Sequence, residues 1–255
     1  MNRNLVIILF IFFLNEINSQ VVDKRTGIQI FYEVHEDTFP VSWTTAEIAA
    51  KGISLDSTEI KRSLKIVKAA LDKYPNNVIT KNLKRVYILK SIEFYGEKFG
   101  GTNSSDTVYI ANNGNDLGYS DAYLEKSFHH EFSSILLRNY PFYMKKDRWI
   151  ASNKITYGDG GVTALKEDKS NQDFNSLLHA KGFLHQYATS SFENDFNSFA
   201  ENLFLPSENF YATVELFPQL KNKLWIIRNF YGAIDKAFTK KYFSDLNSKN
   251  NKKQN

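Results

Sequence analysis

The run His129-His130-Glu131-Phe132-Ser133-Ser134 has the residue types of a zinc-hydrolase helix with one ligand missing. In H-E-x-x-H, two histidines four residues apart share a helix face and hold zinc, and the glutamate beside the first polarises the attacking water. His130 and Glu131 fill the first two places, but Ser134 stands where the second histidine belongs. Moving the frame back to His129 puts Ser133 in that place and separates histidine from glutamate. A hydroxyl is a poor zinc ligand at neutral pH, so the motif either holds metal unconventionally or has lost it.

The rest of the chain limits what completes such a site. There is no cysteine, so any metal falls to histidine and carboxylate, and His35, His129, His130, His179 and His185 are the whole histidine supply. His129 points about 100° away from its neighbour on a helix. His35 and His179 have no partner pattern and read as surface residues, whereas His185 is a source of a second nitrogen. Glu193, Asn197 and Glu201 recur at four-residue spacing and so share a helix face. Glu193, and after it Glu201, is the carboxylate expected to join His130. Imidazole and carboxylate together suit zinc or a harder metal, held weakly.

These groups have to be placed by a fold. At 255 residues with 42% apolar content, including 21 Phe and 14 Tyr, the chain has material for one mixed domain with a substantial core. The net charge is +4, much of it from the lysine-rich end, residues 249–255, which has no interleaved aromatics. It reads as a disordered, solvated basic tail, and a nucleic-acid partner is not expected. Residues 1–19 have the order of an export signal. Arg3 is followed by an apolar run over 5–14, and Ile17-Asn18-Ser19 is a cleavage site. Asn15-Glu16 ends that run too early for a membrane span. The mature chain is expected to be secreted or to sit in the periplasm or cell envelope, with a domain over residues 20–248, no lipid-anchor cysteine and no transmembrane segment.

Along the domain, residues 21–40 read as an extended lead-in. Asp56 or Ser57 caps a helix with Ile60, Leu64, Val67, Leu71 and Tyr74 on its apolar face, ended by Pro75. Residues 83–94 read as one strand, 96–105 as a loop and 107–111 as a second strand. The motif helix is expected over 121–138, with Leu124, Phe128, Phe132 and Ile135 as its core stripe and Pro141 beyond its end. Residues 142–174, with Trp149 and Tyr157, read as a lid over the site. A last helical region is expected to contain 193–205, and 220–242 ends the domain. Gly158-Asp159-Gly160-Gly161 is a turn, since no strand–loop–helix frame makes it a phosphate cradle.

The order of these motifs resembles a known family. His130-Glu131, then Trp149 and Asn153, then Gly182-Phe183-Leu184-His185-Gln186-Tyr187, and finally Glu193-Asn194-Asp195-Phe196 running into Phe199-Ala200-Glu201 resemble the zinc-binding metallopeptidases exported by Bacteroidota. More distantly the pattern is similar to the catalytic domain of anthrax lethal factor, a gluzincin. The likeness covers residues 58–240 and implies an α+β, gluzincin-like domain with a small sheet, an active-site helix and C-terminal helices. In that family a tyrosine assists the transition state and a glutamate seven residues later is the third ligand. Tyr187 matches the tyrosine. Seven residues on stands Asn194, and anchoring on Phe199-Ala200-Glu201 gives Asn197 instead, so both registers place asparagine at the ligand position.

The resemblance therefore implies a zinc-dependent peptide hydrolase with an altered ligand set. His130, Glu193 and Glu201 would hold metal, Glu131 would act as general base, and Tyr187 would stabilise the oxyanion. The alternative is a catalytically inactive descendant that binds a peptide or glycan in the former cleft. A peptide or protein, as substrate or ligand, is the expected partner.

Overall fold

In the computed structural model, which describes residues 20–254, two core strands set the architecture. The chain runs through β1 (Gln20–Val22), β2 (Gln29–Phe31), β3 (Lys51–Ile53), α1 (Ser57–Leu71), α2 (Asn76–Asn82), β4 (Arg85–Leu89), β5 (Ser91–Phe94), β6 (Glu97–Phe99), β7 (Gly101–Asn103) and β8 (Thr107–Ala111). Helices follow: α3 (Asp121–Asn139), α4 (Lys146–Ile150), α5 (Gly161–Lys166), α6 (Ser176–His179), α7 (Phe192–Phe204), α8 (Phe210–Leu216), α9 (Pro218–Ile234) and α10 (Lys240–Gln254). The expected signal, residues 1–19, lies outside the described residues. Among those described, no helix is long and apolar enough to cross a membrane.

β4 reads Arg-Val-Tyr-Ile-Leu and β8 reads Thr-Val-Tyr-Ile-Ala, and they pair in parallel with Val86 beside Val108, Tyr87 beside Tyr109 and Ile88 beside Ile110. Side chains alternate across a strand, so this register sends like residues to the same face. Val86, Ile88, Val108 and Ile110 pack into the main helical core. Tyr87, Leu89, Tyr109 and Ala111 join a second, aromatic core on the other face, where Tyr87 and Tyr109 stack at 5.3 Å. The resulting five-stranded sheet has the order β1-β2-β4-β8-β7, with β7 antiparallel on its edge, and β3-β5-β6 form a smaller antiparallel sheet.

Three expectations change here. Residues 83–94 form two strands, β4 and β5, which join different sheets. Residues 96–105 are not one loop, since β6 and β7 lie within them. Pro75 ends no helical region; it stands just before α2, where its fixed φ and missing N–H are tolerated.

α3 extends one residue past the expected end, with the Ser120 hydroxyl accepting from the Tyr123 N–H at 3.2 Å as its N-cap. Its middle, Phe128 to Leu136, is buried on all sides, because α1, α7 and the sheet edge formed by β7 and β8 enclose it. Polar residues there must find partners inside the protein.

The segment expected as a lid divides in two. Trp149 is fully buried and donates from Nε1 to Asp195 Oδ2 of α7 at 2.8 Å. Tyr157 donates to the same oxygen at 2.6 Å, as does Lys223 of α9 at 2.5 Å, with Lys223 also donating to the Gly182 carbonyl at 2.6 Å. This knot anchors the first half of the segment to α7 and α9. Only the later part reaches the cleft, through Leu165, Ser170 and Gln172.

Candidate functional site

α3 and α7 pack side by side, and the residues between them occupy the place where the motif would hold metal. His130 Nδ1 lies 2.9 Å from Glu201 Oε2, both side chains being nearly fully buried. One turn further along α3, Ser133 donates to Asn197 Oδ1 at 2.5 Å, and Asn197 Nδ2 donates to Ser134 Oγ at 2.7 Å. Two consecutive serines thus clamp one amide, and the hydroxyl at the second-histidine position is engaged by α7.

Above this floor opens a cleft of about 390 Å³ lined by Tyr123, Ser127, His130 and Glu131 of α3, Gly100 and Gly101 at β7, Tyr187 and Glu201. Glu131 is held by Asn103 of β7, whose Nδ2 donates to Oε2 at 2.6 Å; Arg138 in turn donates to Asn103 Oδ1 at 2.5 Å. The Tyr187 ring stacks near His130 at 6.3 Å. Asn194 donates to Ser190 Oγ at 2.8 Å.

Burial alone would depress the His130 imidazolium, but the Glu201 hydrogen bond and the nearby Glu131 charge outweigh it, raising the pKa to about 9. Glu201 is shifted down, since the His130 contact overcomes its burial. Burial pushes Glu131 above the ordinary carboxylate value against the pull of His130 and Asn103. The Tyr187 phenol is raised by burial and by the Glu131 charge.

Sequence reasoning placed His130, Glu131, Tyr187 and Glu201 around one cleft, and the structure brings all four together. Glu193 is placed elsewhere: its side chain is half-exposed, 3.6 Å from Arg138, and does not line the cleft. His129 faces the other side of α3, 2.9 Å from the Tyr74 hydroxyl, and burial holds its pKa down at about 4. His185 is buried with its Nδ1 accepting from the Ala188 N–H at 3.1 Å and its Nε2 without a partner. His179, expected at the surface, is buried with Nε2 3.1 Å from the Leu184 carbonyl.

Gly101 was not singled out by the sequence, yet it sets the geometry. A Cβ there would sit 2.9 Å from Glu131 Oε1 and 3.1 Å from the Tyr109 carbonyl. Gly101→Ala is expected to push Glu131 off Asn103 and to cost about 1–3 kcal/mol, measured by urea unfolding. An unchanged midpoint would show that β7 yields freely.

No family model and no curated protein matches the chain. Among solved structures it is similar to a protein from Bacteroides caccae ATCC 43185 described as a "putative zinc-binding metallo-peptidase". The TM-score is 0.54, with 16% identity over 87% of this chain and 86% of that one. The chain has the fold of that protein. At this identity the likeness is one of architecture, and the ligand question rests on the residues themselves. Among the described residues no three His, Cys, Asp or Glu side chains are grouped to hold a metal ion. With Ser134 bound to Asn197 and Glu193 turned towards Arg138, the residues present do not fit a three-ligand zinc centre.

Proposed function

We propose that the protein is a binding module on a metallopeptidase-type fold, whose cleft takes an extended peptide without zinc. The carrying observation is the closure of the metal position by protein hydrogen bonds: His130 to Glu201, and Ser133 and Ser134 to Asn197. The likeness of fold to a protein described as a metallo-peptidase supports a peptide as the occupant. So does β7, an edge strand bordering the same cleft, because an extended chain pairs readily beside such an edge.

The rival reading, a zinc peptide hydrolase with an altered ligand set, is favoured by the survival of Glu131, His130 and Tyr187 around the cleft. Elemental analysis of untagged protein purified without chelators separates the two. Substoichiometric zinc, together with peptide capture that persists in EDTA, is the expected result. One zinc per chain, with peptide hydrolysis falling about 10²–10⁴-fold in Glu131→Gln, would establish the rival instead.

A further inference from the structure

A second pocket, of about 250 Å³, adjoins the cleft and is walled by Trp43, Ile48, Phe94, Tyr95, Phe99 and Val162. Phe99 lines both spaces, and Thr102 of β7 borders the pocket while Gly101 of the same strand borders the cleft. α5 likewise serves both, with Val162 in the pocket and Leu165 in the cleft. The wall is built to hold its shape. Trp43 packs edge-on against Phe94 at 5.4 Å, and Phe94 packs edge-on against Phe99 at 5.4 Å. Among the described residues no charged side chain lines it.

The rim carries an unusual residue. Tyr95 and Gly96 form the two-residue turn between β5 and β6, with φ of 55° and 78°. Such a turn needs positive φ at both places, which Asn-Gly or Asp-Gly supplies with little strain and a tyrosine does not. The chain nevertheless keeps a tyrosine there, 40% exposed, at the pocket mouth. Strain retained at a ring that borders a cavity is a sign of use.

We propose that this pocket receives one bulky apolar side chain, aromatic or long aliphatic, from the peptide lying in the cleft along β7. The inference rests on the peptide reading above and adds its specificity. Side chains of an extended peptide alternate, so the neighbours of the seated residue point away from the pocket and leave this one position to be selected. The aromatic wall favours an apolar occupant, and the lack of a countercharge rejects Asp, Glu, Lys and Arg.

The test is a random peptide library displayed on phage and panned against the folded protein in EDTA. The expected pool has Phe, Tyr, Trp, Leu or Met enriched at one fixed position. Replacing that residue by Ser in a selected peptide should weaken binding about tenfold to hundredfold. Val162→Glu, on the partly exposed α5, should erase the positional preference. Tyr95→Asn should raise the melting temperature by easing the turn while weakening the same peptide, a combination a merely structural tyrosine would not give. Selected peptides with no fixed apolar position, or a Val162→Glu protein that selects them as the wild type does, would overturn the pocket and leave the peptide reading standing. A pool no richer than that from a blank surface would overturn both.

Discussion

Asp195→Ala is expected to lower the free energy of unfolding by about 3–5 kcal/mol, which is a large share of the 5–15 kcal/mol typical of a domain. Asp195 and Lys223 are both fully buried and 2.5 Å apart. Burial pushes the carboxyl up and the amine down, and each is pulled back by the other. The Lys223 ammonium is surrounded by apolar rings, with Phe183 at 4.5 Å and Trp149 at 5.2 Å. Removing the carboxylate leaves the Trp149 N–H and the Tyr157 hydroxyl without their acceptor and strips this buried cation of its countercharge, leaving it the Gly182 carbonyl. Urea unfolding followed by circular dichroism measures the loss. Adding Lys223→Met to Asp195→Ala should restore much of it, since an apolar side chain of similar length suits that surrounding better than a lone charge. A single variant that unfolds within about 0.5 kcal/mol of wild type would mean that Asp195 does not hold the segment to α7 and α9.

That knot was invisible in the sequence for a physical reason. Trp149, Tyr157, Gly182, Asp195 and Lys223 are scattered along the chain with no common period, so only the packed fold brings them together. β4 and β8 were legible because their alternation of aliphatic and aromatic residues is the signature of a strand covered on both faces. β6 and β7 were not, because three-residue strands separated by Gly100 look like a loop. Within the site, His130 and Glu131 were found through helix spacing, and so was Glu201. Glu193 was misplaced by the same rule. Each step of four residues overshoots a 3.6-residue turn by about 40°, so two steps rotate Glu193 about 80° from Glu201 and towards Arg138.

Asn197 and the two serines that meet it share one chemical property. Asparagine both donates and accepts, so Asn197 satisfies two serine hydroxyls without bringing a charge into the interior. A glutamate there would only accept, and without a cation its buried charge would be costly. Asn197, Ser133 and Ser134 therefore fit one another without a cation between the helices. The buried charged pair between the helices is His130 with Glu201, and it is the part of the site that should report on pH.

Glu201→Gln is expected to cost up to about 3 kcal/mol more stability near pH 6 than above pH 9, where His130 is neutral. The His130 pKa rises from 6.5 to about 9 on folding, so the folded state binds the proton more tightly than the unfolded chain. Stability from this group is complete below pH 6.5 and declines as pH climbs towards 9, by about 3 kcal/mol in all. Glu201 has the opposite sense: its pKa falls on folding, so its contribution is present above 4.5 and disappears as pH drops. His129 and His185 are held near a pKa of about 4, so they add stability that is lost only below pH 6.5 and cannot produce the decline above it. The wild type should therefore be most stable close to pH 6.5, and its slope on the alkaline side should belong mainly to His130. Glutamine keeps the volume of Glu201 and a hydrogen-bond acceptor but not the charge, so the variant's curve should be much flatter between pH 6.5 and 9. Urea titrations at half-unit steps of pH measure both curves. Parallel curves would mean that the imidazolium is not paired with Glu201 in solution, and the closure of the metal position would lose its charged half.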